Sequence, residues 1–142
     1  MATLNAALSA SASALNAERT RIEVAVSNLA NAESTRGPNG QPYRRRDVVL
    51  AADAQNTFEA ALGQAGAVGV KVAGVIEDQA PFKRRYDPSH PDADADGFVA
   101  LPNIDTPEEM VNMLSASRAY QANLTAIGLI RELIQKSLDL GK

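Results

Sequence analysis

Apolar residues recur every seven positions along the N-terminal stretch, at Leu8, Leu15, Ile22 and Leu29, with Leu4 and Val26 falling on the same side of a helix. The positions between them are mostly alanine and serine, and charge is confined to Glu18, Arg19, Arg21, Glu23 and Glu33. This pattern predicts a helix from about Leu4 to Asn31, roughly 40 Å long, whose apolar side is a narrow seam. Such a helix is marginal alone in water, because most helical stability comes from packing an apolar face. It requires a partner.

The C-terminal stretch supplies one, with a second seven-residue series at Met113, Tyr120, Ile127 and Ile134, supplemented by Met110, Leu124, Ile130 and Leu138. Its start is marked by Asp105 or Thr106 as cap, Pro107 in the first turn, and Glu108 and Glu109 at the positive end of the helix dipole. Gly141 suits a helix stop. Between the helices, residues 36–47 and 81–105 are rich in Pro, Gly, Asn and Asp, which predicts turns and extended chain. Strands are expected at Asp47 to Ala51, Val68 to Asp78 and Gly97 to Pro102, the second alternating through Val68, Val70, Val72, Gly74 and Ile76. Residues 52–66 read as a short helix or a loop. The fold class is α+β, mainly α: long terminal helices paired as an antiparallel coiled-coil-like layer, with a small β-rich middle. The corresponding division is 1–35, 36–105 and 106–142.

Composition sharpens this picture. Of 142 residues 45% are hydrophobic, yet only 4% are aromatic and none is Trp, so the large side chains that anchor a globular core are scarce. A net charge of -3 gives no electrostatic reason to expect nucleic acid. The absence of cysteine excludes disulfides, thiolate catalysis and cysteine-based zinc sites, and the single His90 cannot build a histidine metal cluster. No apolar run is long enough to insert into a membrane, and the N-terminus lacks the basic and apolar regions of a secretory signal.

The stretch DADADG (Asp92 to Gly97) resembles the opening of a calcium loop, with oxygen ligands at positions 1, 3 and 5 and glycine at 6. Position 12, where a bidentate Glu is needed, is Asn103, and Pro91 and Pro102 deny the loop its flanking helices. A solvated acidic turn entering a strand is the simpler expectation. Ser89, His90 and nearby aspartates hold the ingredients of a hydrolytic triad without a nucleophile elbow, and no glycine-rich phosphate loop is present. Glu108 and Glu109 are accounted for by the helix dipole. The chain is therefore expected to be no enzyme and to carry no cofactor. Two basic clusters, Arg44 to Arg46 and Lys83 to Arg85, lie beside turn residues and read as solvated, partner-facing patches. Asn31 is expected to end the first helix in the left-handed conformation, and Asn123 to control register near the second seam.

These residues carry a resemblance. SNLANAEST (Ser27 to Thr35) resembles the N-x-A-N-x-x-T signature of the axial proteins of the bacterial flagellum, through Asn28, Ala30, Asn31 and Thr35, the threonine one residue further on than in the shortest form. GPNGQPYRRRDVV (Gly37 to Val49) is similar to the turn and basic strand that follow the signature in the rod C branch of the rod family. YDPSHPDADADGFVALPNIDTPEEMVNMLSASRAYQANL (Tyr86 to Leu124) resembles the block of that branch with Tyr-Asp-Pro, Pro-Asn at Asn103, Glu-Met-Val at Glu109 and Met110, and Arg-Ala-Tyr-x-Ala-Asn at Arg118, Tyr120 and Asn123. Phe98 stands where tyrosine is common.

The resemblance implies a structural subunit of the proximal rod, stacking helically with itself and other rod proteins into a torque-transmitting shaft across the periplasm. It further implies export by the flagellar type III apparatus without a cleaved signal, and contacts with the surrounding rings and a hook-basal-body adaptor. The assembly residues it implies are those of the two seams together with Asn28, Leu29, Asn31, Thr35, Asn103, Glu109, Met110, Arg118, Asn123 and Leu124. Two readings from other classes stand beside it: a calcium-binding regulatory module built on Asp92, Asp94 and Asp96, and a coiled-coil adaptor outside any flagellum.

Overall fold

The computed structural model describes residues 2–53 and 68–139. The alternatives weighed for residues 54–66 and the stop at Gly141 lie outside the described residues, while Ala52 and Asp53 extend a strand.

Helix α1 spans Ala2–Ala30 and helix α2 spans Thr106–Asp139, and they pack along each other. Asn28, in the last turn of α1, touches Glu109, in the first turn of α2, so the two run antiparallel. The buried apolar residues of the two helices are alanines, Ala17, Ala25 and Ala116. Small side chains bring the helix axes close but remove little apolar area from water. The heptad residues Leu8, Leu15, Ile22 and Leu29 on α1, and Met113, Tyr120, Ile127 and Ile134 on α2, are accordingly only half-buried. Val26, Met110, Leu124 and Leu138 stay exposed.

Strand β1 (Arg46–Asp53) pairs antiparallel with β2 (Gly69–Glu77) in a register running from Arg46↔Glu77 to Asp53↔Gly69, with an irregularity between Val49 and Leu50 that bends the ladder. This ribbon lies along α1. At one end Arg46 sits against Asn28, and at the other the Val70 N–H donates to Ser13 Oγ at 3.0 Å. The lengths agree: Ser13 to Asn28 covers about 22 Å of helix, and the steps from Arg46 to Asp53 cover about 23 Å of strand. Gly69 allows the approach, since a Cβ there would lie 2.9 Å from Ser13 Oγ.

The stretch 81–105 holds more regular structure than its composition suggests. Lys83–Tyr86 forms strand β3, paired antiparallel with β4 (Phe98–Leu101) from Lys83↔Leu101 to Tyr86↔Phe98. A run of three cations has no apolar alternation to announce a strand. All four β3 residues are exposed, and the hairpin is anchored by Val99, Pro102 and Ile104, which are buried.

Candidate functional site

Where α1 ends, four elements meet around a polar junction. Asn28 is only 1% exposed, and its side chain makes every hydrogen bond an amide can make. Its Nδ2 donates to the Arg46 carbonyl at 2.8 Å and to Glu109 Oε2 at 3.1 Å. Its Oδ1 accepts from the Arg46 N–H at 3.0 Å and from Tyr43 Oη at 3.1 Å. Glu109, 2% exposed, takes its second partner from Arg45, whose Nε donates to Oε1 at 2.5 Å. Burial pulls the Arg45 guanidinium down, but the hydrogen bond and charge of Glu109 outweigh it and hold the group above its ordinary value. Arg45 also donates its main-chain N–H to Asn103 Oδ1 at 3.1 Å, which ties the segment entering α2 to the same point.

The first basic cluster is thus used within the subunit, not as a solvated patch. Arg45 holds Glu109, Arg44 lies 4.4 Å from the centre of the Phe82 ring, and Arg46 lies over Tyr43 and pairs with Glu77. Beside the junction, a groove of about 480 Å³ is bordered by Arg21, Val24 and Ala25 of α1, Val48 and Leu50 of β1, and Asn112 of α2.

Asn31 ends α1 without a left-handed residue. Its Nδ2 donates back to the Ser27 carbonyl at 2.8 Å, and among the described residues only glycines have positive φ. Thr35 then reaches forward, its Oγ1 donating to Asp92 Oδ2 at 2.8 Å, while Arg36 approaches the other oxygen at 3.6 Å. Asp94 is the organiser of the β3–β4 turn: Oδ1 accepts from the N–H groups of Asp96 and Phe98, and Oδ2 accepts from Arg84 at 2.6 Å. The Phe98 N–H chiefly, with Arg84 and the Asp96 N–H adding to it against burial, holds the Asp94 carboxyl below its usual range. Gly97, at φ +80°, closes the turn. Asp92 and Asp94 therefore face separate partners, and among the described residues no three acidic or histidine groups converge on a metal position. Ser89 donates to Asp87 and His90 Nδ1 accepts from the Asp92 N–H, so the two do not form a nucleophile and base.

On α2 the Asn123 Nδ2 donates to the Ala119 carbonyl of its own helix at 2.9 Å. Arg118 is exposed. Outside the face that meets α1, Met110, Val111, Leu114, Leu124, Leu129 and Leu133 are all exposed. Apart from Asn31, which caps α1, and Thr35, which reaches Asp92, the expected assembly residues fall into two groups. Asn28, Asn103 and Glu109 are gathered at the junction, and the helix residues are spread over the seam and the outer face of α2.

Residues 4–38 match the family profile described as flagella basal body rod protein, and residues 95–140 match that of flagellar basal body rod FlgEFG protein C-terminal. The chain is 52% identical over 130 residues to the flagellar basal-body rod protein FlgC of Salmonella typhimurium, covering 92% of each chain. It is 43% identical to the FlgC of Bacillus subtilis over 145 residues, covering 95% of this chain and 96% of the relative. To that of Borreliella burgdorferi it is 38% identical over 151 residues, covering 96% and 97%. The chain belongs to the FlgC family of flagellar basal-body rod proteins.

In this FlgC-family chain the junction joins the two profile-matched segments, Asn28 from the first and Glu109 from the second, through Arg45 and Arg46, which lie in neither. Arg45 and Tyr43 are the site residues that periodicity misses. The signal for Arg45 was an acid in a helical first turn with a cation cluster elsewhere, which is too common to single out a pair 64 residues apart.

Proposed function

We propose that this chain is a structural subunit of the proximal rod of the bacterial flagellar basal body, polymerising helically with other rod proteins into the shaft that transmits torque. Membership of the FlgC family supports the rod, and one structural observation carries the mode of assembly. Among the described residues α2 packs mainly along α1, meeting the middle segment at its first turn, and it presents a second set of large apolar side chains, from Met110 to Leu133, to the outside. An apolar helix face of that extent is stabilised only when something covers it. Heterologous contacts between such faces that do not close on themselves generate an open helical polymer.

In this reading the helices of segments 1–35 and 106–142 form the assembly layer, and 36–105 is the segment that contacts adjacent rod subunits, the rings and a hook-basal-body adaptor. The half-buried seam residues Leu8, Leu15, Ile22, Leu29, Met113, Tyr120, Ile127 and Ile134 complete their burial as subunits stack. Passage through the type III export apparatus without a cleaved signal suits a chain whose terminal helices order fully only on assembly. The role is structural rather than enzymatic. No observation favours the calcium module, whose three carboxylates face separate internal or solvent partners.

Deletion of the coding sequence in its own organism tests the proposal. The expected result is non-motile cells whose basal bodies lack a complete rod, restored by the unaltered chain. Motile cells with complete filaments would overturn it.

A further inference from the structure

We propose that the Asn28–Glu109–Arg45 junction is an ordering checkpoint: the two terminal helices cannot close on each other until residues 43–46 of the middle segment are seated between their ends. What decides the order is where each buried polar group finds its partners. Before closure, Glu109 is a solvated carboxylate in a helical first turn, where the dipole favours it. In the folded subunit it is 2% exposed, and apart from the Asn28 amide its partner is the guanidinium of Arg45. Asn28 depends on the same segment, since three of its four hydrogen bonds go to Arg46 and Tyr43.

A helix pair closing by itself would bury a carboxylate without its cation and an amide without most of its partners, and both are costly. The helices have little to set against that cost, because their buried apolar side chains are alanines. Closure of the helices and seating of the middle segment are therefore one event. The consequence is that the helix layer is not offered to a neighbouring subunit until the middle has folded onto it. This holds for the isolated chain whether or not it enters a rod.

The test follows amide hydrogen exchange in α1, α2 and β1 of the purified full-length chain across a urea series, extended into the stabilising osmolyte trimethylamine N-oxide if the unaltered chain opens without it. In the unaltered chain the three elements should lose protection at one midpoint. Arg45→Met should lower the closing equilibrium on the order of a hundredfold or more in all three together, as stranding a buried charge does. The double variant Arg45→Met/Glu109→Met, which needs no cation, should close α1 and α2 more readily than Arg45→Met, still at one midpoint with β1, because Asn28 keeps its need for Arg46 and Tyr43. Helices that stay protected in Arg45→Met while β1 alone opens would overturn the proposal. So would a double variant whose helices close no better than those of Arg45→Met.

Discussion

The side-chain amide of Asn28 pairs with the main chain of Arg46 as one strand pairs with another, giving a hydrogen bond at 2.8 Å and receiving one at 3.0 Å. The last turn of a helix has carbonyls to spare but no free main-chain N–H, so a side-chain amide there, which both donates and accepts, is the means by which α1 fixes where β1 begins. The same atoms also meet Glu109 and Tyr43, which makes Asn28 the point at which helix order, strand position and helix pairing are set together.

Asn28→Asp is accordingly expected to destabilise the subunit by about 3 kcal/mol or more at neutral pH, in the range for an uncompensated buried charge. The substitution keeps the acceptor for the Arg46 N–H but turns the 3.1 Å hydrogen bond to Glu109 into a contact between two carboxylates. Urea midpoints measure it. A change within about 0.5 kcal/mol, the range of ordinary surface substitutions, would show that Asn28 is not satisfied as described.

The two glycines with positive φ differ in their surroundings, and the difference is measurable. Gly40, at φ +72°, has nothing within 4 Å of the position an added Cβ would take, whereas at Gly97, φ +80°, a Cβ would lie 3.0 Å from Tyr86 Cε2 and 3.2 Å from Pro88 Cβ. Gly40→Ala should cost the backbone strain alone, about 1 kcal/mol. Gly97→Ala should cost more, because the turn that seats Phe98 against Tyr86 must also shift. Equal losses would mean that the turn yields without resistance.

Asp94 gives the acid side of the stability curve a defined sign. Its folded carboxyl lies below the ordinary value of 3.8, chiefly through the Phe98 N–H and next through Arg84, so its contribution is present above that value and is lost as pH falls through the lower, folded one. Carboxyl carbon NMR titration should find Asp94 depressed, and Asp94→Asn should abolish its share of the acid sensitivity. Addition of millimolar calcium should leave the Asp92, Asp94 and Asp96 resonances in place. Joint movement of all three would restore the ion-site reading.

How much of this was legible in the sequence depended on the range of the interaction that decides each feature. The two helices announced themselves because Leu8 to Leu29 and Met113 to Ile134 repeat locally, and β2 did so through Val70 and Val72. Strand β3 did not, since Lys83, Arg84 and Arg85 are held in place by pairing with β4 and by the Lys83 Nζ bond to the Ile104 carbonyl, neither of which leaves a pattern. Asn28 and Glu109 were singled out by resemblance, but their meeting with Arg45 is a matter of tertiary position. The capping role of Asn31 was visible and its mechanism was not, because a side-chain bond to Ser27 and a left-handed residue end a helix equally well.

The exposed face of α2 separates subunit folding from assembly. Leu124 and Leu129 are 55% and 57% exposed in the subunit, so Leu124→Glu and Leu129→Glu should each leave its stability within about 0.5 kcal/mol. Each would place a charge in an apolar contact between subunits, so motility in soft agar should be lost while the purified variants melt normally. Ala116→Glu supplies the contrast: at 1% exposed it lies between the helices, and a carboxylate there should cost about 3 kcal/mol or more and unfold the subunit itself. If the two leucine variants swim normally, the outer face of α2 is not what holds neighbouring subunits, and the seam residues between the helices must carry assembly by opening and exchanging partners.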